Sequence, residues 1–179
     1  MQSEASLDIP RTAQRDEWIR WRPNHRATLV FLIQDGQILL IRKKRGLGAG
    51  KINGPGGRTE PGESLFECAH REFEEELCAR PTGVTQLGEL SFQFLDGYSI
   101  HVTVFTATGC DGEVQETEEA IPQWTALDQI PYHEMWEDDR IWLPLLLAGD
   151  GFAGRFVFDG DAMVDSAIET WSGKLRDDA

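Results

Sequence analysis

The stretch GGRTEPGESLFECAHREFEEELC, residues 56–78, packs seven glutamates into twenty-three residues, with two adjacent glycines in front and a Pro-Gly pair inside. Pro61-Gly62 marks a turn. From Ser64 onward, Leu65, Phe66, Ala69, Phe73 and Leu77 recur at a 3.6-residue period, which predicts an amphipathic helix with these five on one side. On the same wheel Glu72, Glu75 and Glu76 cover an arc of roughly 100° beside the apolar stripe, while Glu67 and Glu74 point away. Like charges at these spacings repel by about 0.2–0.5 kcal/mol per pair. Arg71 is placed to pair with Glu75, but one cation does not neutralise three acids. A solvated acidic face is one reading. A divalent ion is the other, and an oxygen-only ligand set without His or Cys points to Mg²⁺, with Mn²⁺ fitting the same donors.

A chain of 179 residues at 40% apolar content is long enough for a real core and suits one domain. Its formal net charge of -14 argues against a polymeric nucleic acid partner, which is held chiefly by cations. A small anion stays compatible if metal ions supply positive charge. The segment MQSEASLDIPRTAQRDEW has no apolar h-region, and no run of eighteen apolar residues occurs anywhere. We therefore expect no membrane insertion and a cytoplasmic location. Cys68 and Cys78 lie ten residues apart on the same helix, roughly 15 Å of rise, too far for a disulfide. Cys110 stands alone, and no C-x-x-C occurs, so reduced packing cysteines are expected.

Residues 1–26 are polar and without a clear period apart from Trp18, Ile19 and Trp21. They read as an extension, mostly mobile and with its second half pinned by tryptophan contacts, ahead of a domain at 27–179. TLVFLIQ and QILLIR flank Asp35-Gly36, a tight hairpin signal, and a second hairpin uses Asp96-Gly97. PQWTAL is a short strand, DRIWLPLLLAG a helix begun by acids, and GFAGRFVFDG a strand with alternating Phe. DGDAMVD, at 159–165, lacks EF-hand spacing and reads as solvated turns, and GLGAGKI, at 46–52, lacks the glycine spacing of a P-loop. Strand pairs around one strong helix, with a second helix late, give an α/β class: a mixed β-sheet sandwiched between α-helices.

Gly57, Glu63, Arg71, Glu72, Phe73, Glu75 and Glu76 stand at the spacings G-x5-E-x7-R-E-U-x-E-E, where U is bulky and apolar. This resembles the signature of the Nudix hydrolases. Cys78 departs from it at the helix C-cap, where glycine eases the left-handed turn. The resemblance implies the Nudix fold and a loop-helix-loop that binds Mg²⁺ and hydrolyses a nucleoside diphosphate linked to another moiety. Beyond this box, KKRGLGAGKINGPGG, WTALDQIP, MWEDDRIWLPLLL and GRFVFDG are similar to the MutT-homologue branch over roughly residues 27–170. That likeness implies an oxidised-purine nucleoside triphosphate diphosphatase, acting on a small nucleotide and releasing monophosphate and pyrophosphate; a monomer is expected, with the oligomeric state left open. Alternative substrates are ADP-ribose, dinucleoside polyphosphates or undamaged dNTPs, and a silent Nudix-like sensor is the non-enzyme alternative.

The resemblance also assigns roles. Glu72, Glu75 and Glu76, with the Gly56 carbonyl and Glu119, would hold the metal. Arg71 belongs to the catalytic group, and Glu119 or Glu75 is the candidate proton acceptor, with the base left open. Lys43, Arg58 and the amides of Gly56 and Gly57 would hold the triphosphate, Glu63 would orient the loop or an outer-shell water, and Thr28 would meet the sugar or base. Asn53, Trp136, Asp138 and Asp139 stand at the purine-gripping positions. Their chemistry suits the task, because an amide offers donor and acceptor, an indole offers a stacking face, and adjacent acids share a proton. The bland alternative for WEDDR is an acidic helix start. Leu47, Ile52 and Pro55 stand where that branch commonly has aromatic pocket walls, and Phe92, Phe94, Ile100 and Val102 suit either the cavity floor or the core.

Overall fold

The computed structural model describes residues 9–173. In chain order its elements are α1 (Arg15–Trp18), β1 (His25–Gln34), β2 (Gln37–Lys43), β3 (Ile52–Asn53), β4 (Gly56–Arg58), α2 (Leu65–Leu77), β5 (Arg80–Thr82), β6 (Thr85–Phe94), β7 (Ser99–Ala107), β8 (Gly109–Asp111), β9 (Ala120–Ala126), α3 (Asp139–Ala148), β10 (Gly151–Asp159) and β11 (Ala162–Trp171). Nine strands form one sheet in the order β11-β10-β6-β7-β1-β2-β3, with β4 beside β1 and β9 beside β2, while β5 and β8 pair separately. The β1–β7 and β6–β10 ladders are parallel and the other pairs antiparallel, so the sheet is mixed.

The Asp35-Gly36 turn forms as read: both residues have positive φ, 51° and 73°, which matches the twist of a two-residue hairpin. Alternation along β1 and β2 then divides the core. Phe31, Ile38 and Leu40 face one side with Trp142, Leu143 and Leu146 of α3. Val30, Leu32, Leu39 and Ile41 face the other with Ala69, Phe73 and Leu77 of α2. Each fully buried Phe or Leu contributes about 1.5–3 kcal/mol. The sandwich inferred from sequence is therefore the observed one.

The edge of β1 is forked. Ala27, Thr28 and Leu29 pair with β4, whereas Ile33 and Gln34 pair with β2. The fork sets the Gly56–Arg58 strand against α2, where Cys68, Glu72 and Glu76 meet it. Helix α2 starts at a capping box in which Ser64 Oγ accepts from the Glu67 amide at 3.1 Å and Glu67 Oε2 accepts from the Ser64 amide at 2.8 Å.

Two local readings are corrected. Phe66 is 52% exposed and rests on the His70 ring at 4.2 Å, so Cys68, fully buried, takes the expected place in the α2 stripe. DGDAMVD is a turn only at its start; from Ala162 it becomes β11, whose mixed burial hides the period-2 signal. The Asp96-Gly97 hairpin forms as read, its connection spanning residues 95–98, with Asp96 Oδ1 accepting from the Tyr98 amide at 2.9 Å. The extension from residue 9 is bonded to the sheet: the Ala13 amide donates to Asp165 Oδ2 at 2.8 Å, and Arg155 Nε donates to the Ala13 carbonyl at 3.2 Å. Residues 1–8 lie outside the described residues. The three cysteines are free, and no helix of the described residues is long and apolar enough to cross a membrane.

Cys78 closes α2 in the left-handed conformation, φ 58° and ψ 20°, with its amide bonded to the Glu74 carbonyl at 2.8 Å. A side chain there costs about 1–2 kcal/mol, part of which glycine returns through its greater freedom in the unfolded chain. Cys78→Gly is expected to raise stability by about 0.5–1 kcal/mol in urea unfolding at an unchanged m-value, and an equal or lower midpoint would contradict this account of the cap.

Candidate active site

One guanidinium organises the acidic face of α2. Arg71 donates from Nε to Glu63 Oε1 at 2.7 Å and from Nη2 to Glu63 Oε2 at 3.0 Å, a two-pronged grip. Its Nη1 donates to Glu72 Oε1 at 2.8 Å and to Glu75 Oε2 at 3.2 Å, and Nη2 also reaches the Arg58 carbonyl at 3.0 Å. This partner holds the Glu63 carboxyl down at about 2. Glu63 in turn accepts from the Glu60 amide at 2.9 Å, so it fastens the loop before the helix.

Glu76 lies deeper, only 3% exposed, and accepts from the Gly56 amide at 2.9 Å. Burial pushes its carboxyl up to about 8, with the charges of Glu72 and Glu119 adding and the Gly56 amide and Lys43 opposing. Glu72 is raised by burial too, and by Glu75 and Glu119, against the pull of Arg71. Glu119, from the loop before β9, is ion-paired to Arg45. The glycines make this approach possible. A Cβ on Gly56 would run into the Thr28 carbonyl oxygen, and one on Gly57 into the Glu72 carboxyl. Among the described residues no three acidic, His or Cys side chains converge on one point, and Arg71 engages Glu72 and Glu75. The donor set is nonetheless all oxygen, partly buried and short of positive charge, which fits a hard divalent ion.

On the α3 side of the sheet a cavity of about 220 Å³ opens, and the Gly56-Gly57 strand forms part of its wall. Its lining brings together Thr28, Lys43, Asn53, Gly56, Gly57, Arg58, Trp136, Asp138 and Asp139, with Phe92, Phe94, Ile100 and Val102 as apolar surface. Asp138 and Asp139 are 2% and 3% exposed. Asp138 Oδ2 accepts from Trp142 Nε1 at 2.8 Å, and Asp139 Oδ2 accepts from the Trp136 amide at 3.0 Å. Asp138 Oδ1 is buried with no hydrogen-bond partner. Burial raises both carboxyls, and the charge of Asp138 raises Asp139 further. The acidic helix start is present, with Asp138 at the N-cap of α3 and Asp139 in its first turn, but the Asp138 side chain makes no capping bond and accepts from Trp142 instead. The Trp136 indole stands edge-on to Phe158 and Phe94, at 5.5 and 6.1 Å between ring centres, with Lys51 Nζ 4.9 Å over it.

Residues 23–146 match the NUDIX domain. The chain belongs to the Nudix hydrolases. Zebrafish (Danio rerio) and mouse (Mus musculus) proteins, both named oxidized purine nucleoside triphosphate hydrolase, are 40% identical to this Nudix hydrolase over 144 and 143 residues, 79% of this chain and 92% of each relative. The crystal structure of a mutator MutT protein from Bacillus halodurans superposes with a TM-score of 0.73 at 26% identity, covering 81% of this chain and 97% of that one. A MutT NUDIX hydrolase from Burkholderia pseudomallei gives 0.63 at 28% identity, covering 69% and 98%. Nudix hydrolases generally need divalent metal ions, which agrees with the oxygen-rich face of α2.

Against the Nudix expectations, the structure gathers most of the named residues around the Gly56-Gly57 strand. Thr28 is the partial exception: it lies in the cavity wall, but its hydroxyl donates to Cys68 Sγ at 3.4 Å. Of the three altered wall positions only Leu47 lines the cavity. Ile52 is core, and Pro55 is buried, its carbonyl accepting from the Val30 amide at 2.8 Å. Lys51, Tyr98, Leu90, Trp142 and Phe158 went unread. Phe158 carried a signal in the alternating Phe of GFAGRFVFDG; Lys51 carried none, because its partners are remote in sequence.

The raised Glu76 carboxyl makes a sign-specific prediction. The folded metal-free protein keeps a proton that the unfolded chain releases near 4.5, so this contribution is fully present below that pH and is lost as pH rises through about 8. With a chelator present, the melting temperature of wild type should therefore fall between pH 5 and 8 more steeply than that of Glu76→Gln, whose amide oxygen still accepts from Gly56. Parallel curves for the two proteins would show that Glu76 is ordinary.

Proposed function

We propose that this Nudix hydrolase cleaves oxidised purine nucleoside triphosphates, of the 8-oxo-dGTP and 2-hydroxy-dATP type, to the monophosphate and pyrophosphate. The observation that carries the reading is the buried pair Asp138 and Asp139 in the cavity wall, one oxygen of which has no protein partner. Two adjacent buried carboxyls retain a shared proton, so one donates to a purine carbonyl while the other accepts from ring or exocyclic N–H. Either member can hold the proton, which admits more than one base edge. Asn53 adds a further donor and acceptor, although its Oδ1 already accepts from the Gly54 amide at 2.7 Å. The names of the zebrafish and mouse relatives support the same substrate class.

The phosphate end follows from the α2 face. Glu72, Glu75, Glu76, Glu119 and the Gly56 carbonyl would hold Mg²⁺, or Mn²⁺, displacing Arg71 Nη1 while Arg71 keeps its grip on Glu63. Bound there, the ion supplies neutralisation of phosphate charge as it builds during attack by water. Lys43, Arg58 and the Gly57 amide orient the triphosphate chain beside it. Glu119 or Glu75 takes the proton from the attacking water. Glu119 is held by an exposed arginine and Glu75 is half exposed, so both are free to move toward a nucleophile. We assign the catalytic unit to residues 27–179, preceded by the extension at 1–26, and expect a monomeric cytoplasmic enzyme that cleans the nucleotide pool.

The test is kcat/KM with Mg²⁺ on 8-oxo-dGTP, 2-hydroxy-dATP, O6-methyl-dGTP, dGTP and ADP-ribose in parallel. Oxidised purines should lead the series; ADP-ribose or plain dGTP in front would move the protein to another Nudix substrate class, a shift that Leu47 in the wall makes plausible. Glu76→Gln should lower kcat by at least about 10²-fold, because metal stabilisation is worth several kcal/mol.

Asp138→Asn and Asp139→Asn should each lose activity unequally between the oxidised guanine and adenine substrates, since each fixes one hydrogen-bonding pattern. In wild type, kcat/KM should fall at alkaline pH as the pair gives up its shared proton and with it the donor. A substrate ratio and a pH profile both unchanged from wild type in the two variants would remove the pair from base recognition.

A further inference from the structure

The N-terminal extension touches the base cavity at second hand. Trp21, outside the residues that match the NUDIX domain, donates from Nε1 to Gln93 Oε1 at 2.9 Å. Gln93 is 2% exposed, and its Nε2 donates to the carbonyls of Phe94 at 2.8 Å and Tyr98 at 3.2 Å. Because Trp21 offers only a donor, it fixes which end of the carboxamide is oxygen, and so turns both amide hydrogens toward the β6–β7 connection. That connection carries Phe94 and Tyr98, whose rings meet at 5.6 Å and line the cavity, with Phe94 also against Trp136.

A second tie lies beside the first. The Asn24 amide donates to Ser99 Oγ at 2.9 Å, Ser99 Oγ donates back to Asn24 Oδ1 at 2.8 Å, and the His25 ring lies 5.1 Å from Tyr98. Behind Trp21 the arm is itself anchored. Trp18 packs on Trp21 at 4.8 Å and donates from Nε1 to the Thr12 carbonyl at 2.9 Å, and Ala13 is held by Asp165 and Arg155. The arm is therefore a strut bonded from the β10–β11 hairpin to the cavity rim.

We propose that this strut is a specificity element: Trp21, acting through Gln93, is a positioning residue that sets the Phe94–Tyr98 rim against Trp136 and so shapes the base cavity. The proposal rests on the base-cavity reading above for its kinetic consequence but not for its structural one. An unbraced rim leaves the phosphate chemistry intact and loosens the base, so the effect belongs in KM and only for substrates whose base fills the cavity.

Three variants test this: Trp21→Phe, which keeps an aromatic ring and loses the N–H; Gln93→Met, which removes all three bonds; and the double variant. Without substrate, hydrogen exchange at the Phe94 and Gly97 amides should quicken by roughly 10-fold in Trp21→Phe and more in Gln93→Met, with the Val30 amide unchanged. With 8-oxo-dGTP, KM should rise by about 5- to 20-fold at a kcat within about twofold, while a pyrimidine triphosphate shows no change in KM. The double variant should be no worse than Gln93→Met, since both act through one carboxamide. Unchanged exchange at the rim overturns the brace whatever the substrate proves to be. Equal losses on purine and pyrimidine, or a loss in kcat alone, overturn its role in specificity. A wild type inactive on 8-oxo-dGTP counts against the substrate assignment and leaves the exchange result to decide the brace.

Discussion

The structure depends on how closely α2 approaches the Gly56-Gly57 strand. Gly56 has no room for a side chain against the Thr28 carbonyl, and a side chain on Gly57 would push the Glu72 carboxyl from its place. That clearance lets the Glu76 carboxyl reach the Gly56 amide from α2. The forked edge of β1 supplies the other half of the arrangement: pairing with β4 for three residues before β2 takes over leaves the glycine strand exposed to α2 on one face and to the cavity on the other. Two chemically distinct compartments thus meet at one short strand.

Each compartment holds acids in surroundings that disfavour charge. Around α2 the repulsion is relieved in part by Arg71, which is anchored through two bonds to Glu63 and has only single bonds to spare for Glu72 and Glu75. Near α3, no cation pairs with Asp138 or Asp139 among the described residues, and protonation is the remaining relief. The same physical problem is answered around α2 by a cation for Glu63, Glu72 and Glu75 and by a proton for buried Glu76, and near α3 by protons alone.

Much of this was legible in the chain because it rests on local spacing. The Asp35-Gly36 hairpin, the start of α2 at Ser64 and the glutamate arc each involve residues a few positions apart, where helix and turn geometry act directly. The acid pair could be read as recognition groups only beside Asn53 and the glutamate box; its burial under Trp142 needed the fold. Phe66 was misread because periodicity places a residue on a wheel without saying where the neighbouring sheet ends. Strand β11 was missed since its outward residues are no more polar than its inward ones are apolar. Gln93 and Lys51 gave no sign, for their partners are Trp21, Trp136 and Asp161, all remote in sequence.

The two parallel ladders carry a consequence for how the chain is made. His25 pairs with Ile100 and Phe152 with Gly88, so neither ladder forms until a long loop has closed. The β1–β2 hairpin and α2 are local and form early, while β1 keeps an open apolar edge until β7 has been synthesised. Folding should accordingly be slow for a domain of this length, rate-limited by strand docking, and most open to aggregation while the ribosome is between those two segments.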